Sequence, residues 1–155
     1  MARRAPHHRN GSAIDLATLP HHVGYAIRRA QVAIFQHIIR AMEALDVRPG
    51  QFSVLTVIGA NPGLKQIAIS EALDIRRANL VGMINELERR GWIERRAVRG
   101  DRRAQGLYLT SRGRATLARL RALAARHERT ATRLLTAAEK RQLLHLLARV
   151  HDATA

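Results

Sequence analysis

Helical periodicity fills this 155-residue chain except at one place, where it gives way to two short runs with strand character, 92-WIERRAV-98 and 105-QGLYLT-110, around Gly100-Asp101. Two such runs separated by a glycine-containing turn describe a β-hairpin. An isolated hairpin is at best marginally stable in water, so this one must pack on the helices beside it. The chain is therefore mainly α with one small β-hairpin that directly follows a helix. The hairpin is also crowded with charge: residues 95–103, RRAVRGDRR, hold five arginines and one aspartate.

The helices can be placed from their apolar spacing. In 20-PHHVGYAIRRAQVAIFQHIIRAMEALDV-47, Val23, Ile27, Ala30, Ile34, Ile38, Met42 and Leu45 recur every three or four residues, with Val32, Phe35 and Ile39 as a second line beside them. This apolar surface is wide for a small domain; either a second subunit covers it or it forms one broad core face. In 48-RPGQFSVLTVIGANPG-63, Pro49 suits a first helical turn and Asn61-Pro62-Gly63 stops the helix. A short helix follows in 64-LKQIAISEAL-73, then a tight turn at Asp74-Ile75. The next helix, 76-RRANLVGMINELERRG-91, faces Leu80, Ile84 and Leu87 inward and has Gly91 at its C-cap. Beyond the hairpin, Thr110 or Ser111 starts a long helix through Leu117, Leu120, Leu123 and Ala124 to the region of Leu135. Thr136 and Glu139 have capping-box spacing and open a last helix carrying Leu143, Leu144, Leu146, Leu147 and Val150. Residues 1–13, MARRAPHHRNGSA, lack periodicity and form either a flexible basic arm or an end without a role.

The net charge is +15, and arginine supplies nearly all the positive side, because Lys65 and Lys140 are the only lysines. Such an excess points to a polyanionic partner, usually double-stranded DNA. The absence of cysteine excludes disulfides, thiolate catalysis and Cys-based zinc sites. No apolar run reaches the ~18 residues that cross a membrane, and the N-terminus lacks the apolar stretch of a secretory signal; a cytoplasmic protein without membrane contact is expected. His7-His8 and His21-His22 are adjacent pairs, which point ~100° apart on a helix, and His145 and His151 are off one face, so no metal site is expected. No nucleophile–base pair, phosphate-cradling glycine loop or carboxylate pair stands out. Neither catalytic residues nor a cofactor are expected, and the chain does not read as an enzyme.

A short helix, a tight turn, a second helix and a hairpin make up the layout of a winged helix-turn-helix, here over 48–110. In that motif the second helix enters the major groove with its N-terminal residues on base edges. Those residues are Arg76, Arg77 and Asn79, with Leu80 and Met83 completing the recognition-helix set. Arginine suits guanine O6/N7 and asparagine suits adenine N6/N7, and a helix start offers N–H groups to a phosphate. From Arg76 to Arg103, nine arginines meet four acidic residues.

Residues 49–113 resemble the MarR (multiple antibiotic resistance regulator) family of bacterial transcription regulators. The wing, 101-DRRAQGLYLTSRG-113, fits its Asp-x-Arg followed by apolar-x-Leu-Thr-x-x-Gly, and 86-ELERRGWIERR-96 fits its Leu-x-x-x-Gly-apolar-apolar-x-Arg. The resemblance implies a single domain over 14–155, with dimerisation helices in 14–47 and 111–152 on either side of the winged helix-turn-helix. It implies a homodimer that binds a pseudo-palindromic operator, usually as a repressor, and leaves it when a small anionic aromatic ligand enters a cleft between the dimerisation helices and the DNA-binding lobe. Asp101 and Arg103 would then pair to shape the wing, with Arg102 entering the minor groove and Arg95, Arg96 and Arg99 meeting phosphates. Three places depart from the pattern: Ile69-Ser70 replaces the commoner Leu-Ala, Asp74 the commoner turn glycine, and Ala78 and Asn79 the usual Ser/Thr residues.

The run 24-GYAIRRAQVAIFQHI-38 resembles family members that control aromatic-acid breakdown, including ones answering to hydroxycinnamoyl-CoA thioesters. Tyr25, Arg28, Arg29, His37 and Arg40 are the effector candidates that follow. The arginines would suit a carboxylate or CoA phosphates, or else form a solvated helix face. Two other functions compete with the ligand-responsive regulator: a sequence-nonspecific architectural DNA-binding protein, and a small-molecule or CoA-thioester binding protein.

Overall fold

The computed structural model describes residues 14–98 and 101–154, with 98 and 101–104 described as backbone. The chain divides into two compact units, one ending at Ile34 and the other beginning at Phe35. The basic arm 1–13 and Arg99 lie outside the described residues. In the first unit, a single 3-10 turn at Leu19–His21, with Pro20 in its opening positions, leads into helix α1 (Val23–Met42). Val23, Val32 and Ile34 are exposed, at 64%, 44% and 43%. The apolar stripe expected to bury Val23 and Ile34 is therefore uncovered at these positions.

In the second unit, α1 buries Ile38 and Met42 and ends there, not at Val47. The reason is local: Glu43–Leu45 tightens into a 3-10 turn and Asp46 takes a left-handed conformation at φ 49°, which a short polar side chain tolerates. Arg90 holds that turn, donating to the Asp46 carbonyl at 2.8 Å and pairing with its carboxylate. The same guanidinium lies 4.9 Å over the Trp92 ring and donates through Nε to Glu86 at 2.6 Å.

The core is aliphatic. Helix α2 (Pro49–Ala60) contributes Val54, Leu55 and Ile58; α3 (Gln66–Ala72) Ile69; and α4 (Arg77–Arg89) Leu80, Ile84 and Leu87. Trp92, Ile93, Leu107 and Leu109 close it from the hairpin, and Leu117 and Leu120 from α5 (Ser111–Ala131). Each such side chain, fully buried, contributes roughly 1.5–3 kcal/mol. Helix α5 ends at Ala131, short of Leu135, and the chain turns there, with Leu135 N donating to Thr132 O at 2.9 Å, before Thr136 caps α6 (Ala137–Asp152). The expected capping box is present: Thr136 Oγ1 accepts from Glu139 N at 3.2 Å, and Thr136 N donates to Glu139 Oε2 at 2.8 Å. Among the described residues no side chain of α6 is buried, and Leu143, Leu144, Leu146, Leu147 and Val150 are exposed.

Strands β1 (Ile93–Val98) and β2 (Asp101–Leu109) pair antiparallel from Ile93↔Leu109 to Ala97↔Gln105, with an irregularity between Ala97 and Val98. β2 begins four residues before the expected Gln105, in a stretch, DRRA, that lacks the β-branched and aromatic residues marking a strand. A bridge from a third segment to β2 was not foreseen: Gly63 N donates to Leu107 O at 2.9 Å and Leu107 N to Leu64 O at 3.1 Å. It needs glycine at 106, since a Cβ there would lie 2.6 Å from the Gly63 carbonyl oxygen.

The hairpin is joined to α5 by a tight junction. Thr110 Oγ1 accepts from Gly113 N at 2.9 Å and donates to Gly91 O at 2.7 Å, while Thr110 N donates to Trp92 O at 3.0 Å. A Cβ on Gly113 would sit 1.8 Å from the Trp92 carbonyl oxygen, which is backbone and cannot swing away. Gly113→Ala is expected to cost at least about 3 kcal/mol or to abolish folding. Gly82→Ala, in α4 with nothing described within 4 Å of the new carbon, is expected to stabilise by roughly 0.5–1 kcal/mol. Denaturant unfolding of the two variants beside the parent measures the contrast.

Candidate DNA interface and effector cavity

The turn before α4 works without the usual glycine. Asp74 takes φ 48°, Ser70 Oγ donates to Ile75 O at 2.6 Å, and Ile75 N donates to Ser70 O at 3.0 Å. The serine that departs from the family pattern thus ties down the turn that the aspartate forms. Arg76 follows as an extended N-cap residue with no side-chain cap hydrogen bond, so the first N–H groups of α4 stay available to an anion. Arg76, Arg77, Ala78 and Asn79 are exposed.

Two members of the expected recognition set behave differently. Leu80 is fully buried and belongs to the core; its place on the inward stripe with Ile84 and Leu87 rules out contact with bases. Met83 is half-buried against that core. The sequence reading missed Val81, 43% exposed and one turn beyond Arg77, an apolar group of the kind that meets a thymine methyl. Its signal was an apolar residue off the inward stripe.

On the wing, Arg95 is folded back onto α4, paired with Glu88 and donating to Asn85 Oδ1 at 2.8 Å. Arg96 lies 4.9 Å over the Tyr108 ring and pairs with Glu94 at 2.5 Å. Arg95 is therefore engaged by α4, whereas Arg96 is held by its strand neighbours. Asp101, Arg102 and Arg103 lie on β2, and the side-chain roles assigned to them, including the Asp101–Arg103 pair, lie outside the described residues.

Of the effector candidates, the structure brings His37 and Arg40 together. They line a cavity of about 320 Å³ with Ala41, Leu123, Arg126, His127 and Thr130. Tyr25, Arg28 and Arg29 belong to the first unit, where the Arg29 guanidinium lies 5.9 Å over the Tyr25 ring. His127 was missed. It sits on the buried stripe of α5, seven residues after Leu120, and is 7% exposed. Its Nδ1 lies 2.5 Å from Nδ1 of His37, the rings stacked at 4.8 Å. Sequence proximity gives no hint of this pair, whose members are 90 positions apart. Burial holds the His127 pKa below the ordinary histidine value, with His37 adding to the effect. Among the described residues no three His, Asp or Glu side chains gather as a metal site, and no helix is long and apolar enough to cross a membrane.

The MarR family model matches residues 45–104. A Thauera aromatica protein described as a transcriptional regulatory protein for the hcr operon is 36% identical over 143 residues, covering 88% of this chain and 86% of its own. Among solved structures, the transcriptional repressor CouR bound to a 23-mer DNA duplex is 40% identical, with a TM-score of 0.85 over 90% of this chain and 99% of its own. CouR bound to p-coumaroyl-CoA is 38% identical, with a TM-score of 0.81 over 90% and 98%. The PcaV regulator of Streptomyces coelicolor with its natural ligand is 30% identical, with a TM-score of 0.78 over 94% and 100%.

The depressed His127 pKa has a stability consequence. Below the ordinary histidine value of about 6.5, the unfolded chain binds a proton that folded His127 refuses, so stability falls as pH falls through that window and levels off below the folded pKa. Thermal melts between pH 7.5 and 5 should therefore show a smaller acid-side loss in His127→Gln than in the parent; equal losses would count against the assignment.

Proposed function

Since this chain belongs to the MarR family of DNA-binding transcriptional regulators and is not an enzyme, we propose that it is a homodimeric repressor of an aromatic-acid catabolic operon, released from a pseudo-palindromic operator by an anionic aromatic ligand or its CoA thioester. The observation that carries this proposal is the exposed, uncapped start of α4, which presents Arg76, Arg77 and Asn79 ahead of buried Leu80. Arg76 and Asn79 read base edges, with Val81 adding an apolar contact. Arg96 and, once released from Glu88, Arg95 meet phosphates, as does Arg99, while Arg102 reaches the minor groove from a wing shaped by Asp101 and Arg103. Likeness to CouR, solved with a DNA duplex and with p-coumaroyl-CoA, supports both halves of the proposal.

The effector enters the cavity of His37, Arg40, Arg126 and His127, where two guanidiniums favour an anion. The uncovered leucines of α6, together with Leu134 at 83% exposure, supply the dimer surface. In sedimentation velocity, Leu144→Asp should shift the protein toward monomer and weaken operator binding with it.

Fluorescence anisotropy on DNA from immediately upstream of the protein's own gene, beside a scrambled duplex at equal salt and with or without p-coumaroyl-CoA, tests the proposal. Specific binding reversed by the thioester is the expected result; equal binding to both duplexes would favour an architectural protein. Arg76→Ala and Asn79→Ala should each cost about 1–3 kcal/mol and relax base choice locally, whereas Arg95→Ala should weaken all sequences alike and flatten the salt slope by about one.

A further inference from the structure

Within the cavity, the arginines and histidines are not equivalent. Arg40 and Arg126 are exposed, whereas His127 is buried and His37 half-buried. Ala41 and Leu123 supply apolar wall. Thr130 has already committed its hydroxyl hydrogen to the Arg126 carbonyl at 3.1 Å. His127 spends its Nδ1 on His37. Its Nε2 has no partner among the described residues, yet no buried side-chain nitrogen or oxygen there lacks one; Nε2 is therefore not sealed within the protein, and His127 lines the cavity.

The contact between the two Nδ1 atoms holds one proton, because one nitrogen must donate and the other accept. When His37 provides that proton, neutral His127 carries its own hydrogen on Nε2 and donates into the cavity. When His127 provides it, Nε2 is bare and accepts. A shift of tautomer thus lets one atom meet either a phenolic O–H or an oxyanion, without movement of the rings. A cavity of about 320 Å³ lies at the small end of ligand sites. It has room for an aromatic acyl group and leaves the nucleotide of a CoA thioester outside, beyond the exposed arginines.

We propose that the His37–His127 pair reads an oxygen on the ring of the effector: Nε2 of His127 hydrogen-bonds the 4-hydroxyl of a hydroxycinnamoyl group and discriminates against the same ring without it. His127 is the contacting residue, and His37 is a positioning residue that fixes its ring and tautomer. The inference rests on the effector class proposed above and goes beyond it by naming the atom that selects the ligand. A ligand lacking the hydroxyl would leave Nε2 covered and unpaired, and an unsatisfied buried polar group is costly.

The experiment is calorimetric titration of the full-length protein with p-coumaroyl-CoA and with cinnamoyl-CoA, which differ by that one hydroxyl, repeated on His127→Leu and His127→Gln. The wild type should prefer p-coumaroyl-CoA by roughly tenfold or more. His127→Leu should bring the two ligands near parity while still binding cinnamoyl-CoA, and His127→Gln, which keeps a hydrogen-bonding group, should retain part of the preference. Should the leucine variant fail to fold, the glutamine variant decides: an undiminished preference overturns the proposal, as does equal binding of both thioesters to the wild type. Binding of neither thioester to the wild type overturns the effector class itself and the reader with it, an outcome distinct from loss of discrimination alone.

Discussion

The approach of Gly113 to the Trp92 carbonyl organises the half of the fold that follows α4. Trp92 O takes a hydrogen bond from Thr110 N, and Thr110 in turn caps α5 and reaches back to Gly91. Only an alpha carbon without a side chain fits against that carbonyl. Contact at this distance fixes where α5 leaves the hairpin, and with it the direction in which Leu117 and Leu120 enter the core. The Leu-Thr-x-x-Gly ending of the wing is thus physically explained by a core leucine, a capping threonine and a glycine that permits contact.

At the same end of β1, Arg90 performs a comparable task with charge. It binds the left-handed turn at Asp46, pairs with Glu86 and covers Trp92. Hydrogen bonds from Arg90 and then Arg89 hold the Glu86 carboxyl below its usual pKa. A network of this kind at the protein surface, with Arg90 and Glu86 half-buried and Asp46 and Arg89 exposed, contributes little to stability; what it supplies is orientation, since it sets the end of α4 against the loop that precedes α2. Arginine is therefore used in two ways here, as an internal brace at 90 and 95 and as an outward cation at 76 and 77.

What could be read from the sequence follows the range of the physics. Caps, turn residues and apolar spacing act within a few positions, so the Thr136–Glu139 box, the C-cap glycine at 91 and the inward face of α4 were legible. The long helices were placed correctly but the C-terminal ends of α1 and α5 were not: Asp46 closes the turn after α1 in a left-handed conformation, and α5 gives way to a turn at Thr132 that apolar spacing does not mark. Pairings far apart in the chain were invisible: Leu64 with Leu107, Arg90 with Asp46, and His37 with His127. Leu80 was assigned both to the core and to the DNA face, and its burial resolves that conflict. The effector candidates were gathered from one helix, whereas the cavity is built from two, so its partners on α5 could not be named from the first helix alone.

Helix α5 connects the hairpin junction to the cavity. Its first turn is clamped at Gly113, and fourteen residues later the same helix carries His127 at the cavity. That span is about 21 Å of continuous helix, too short to bend appreciably under modest load. A tilt of about 5° at the cavity end would displace the clamped end by roughly 2 Å, the scale on which helix shifts switch binding surfaces. Because Gly113 leaves no slack against Trp92, such a lever would move the hairpin as one piece with the helix.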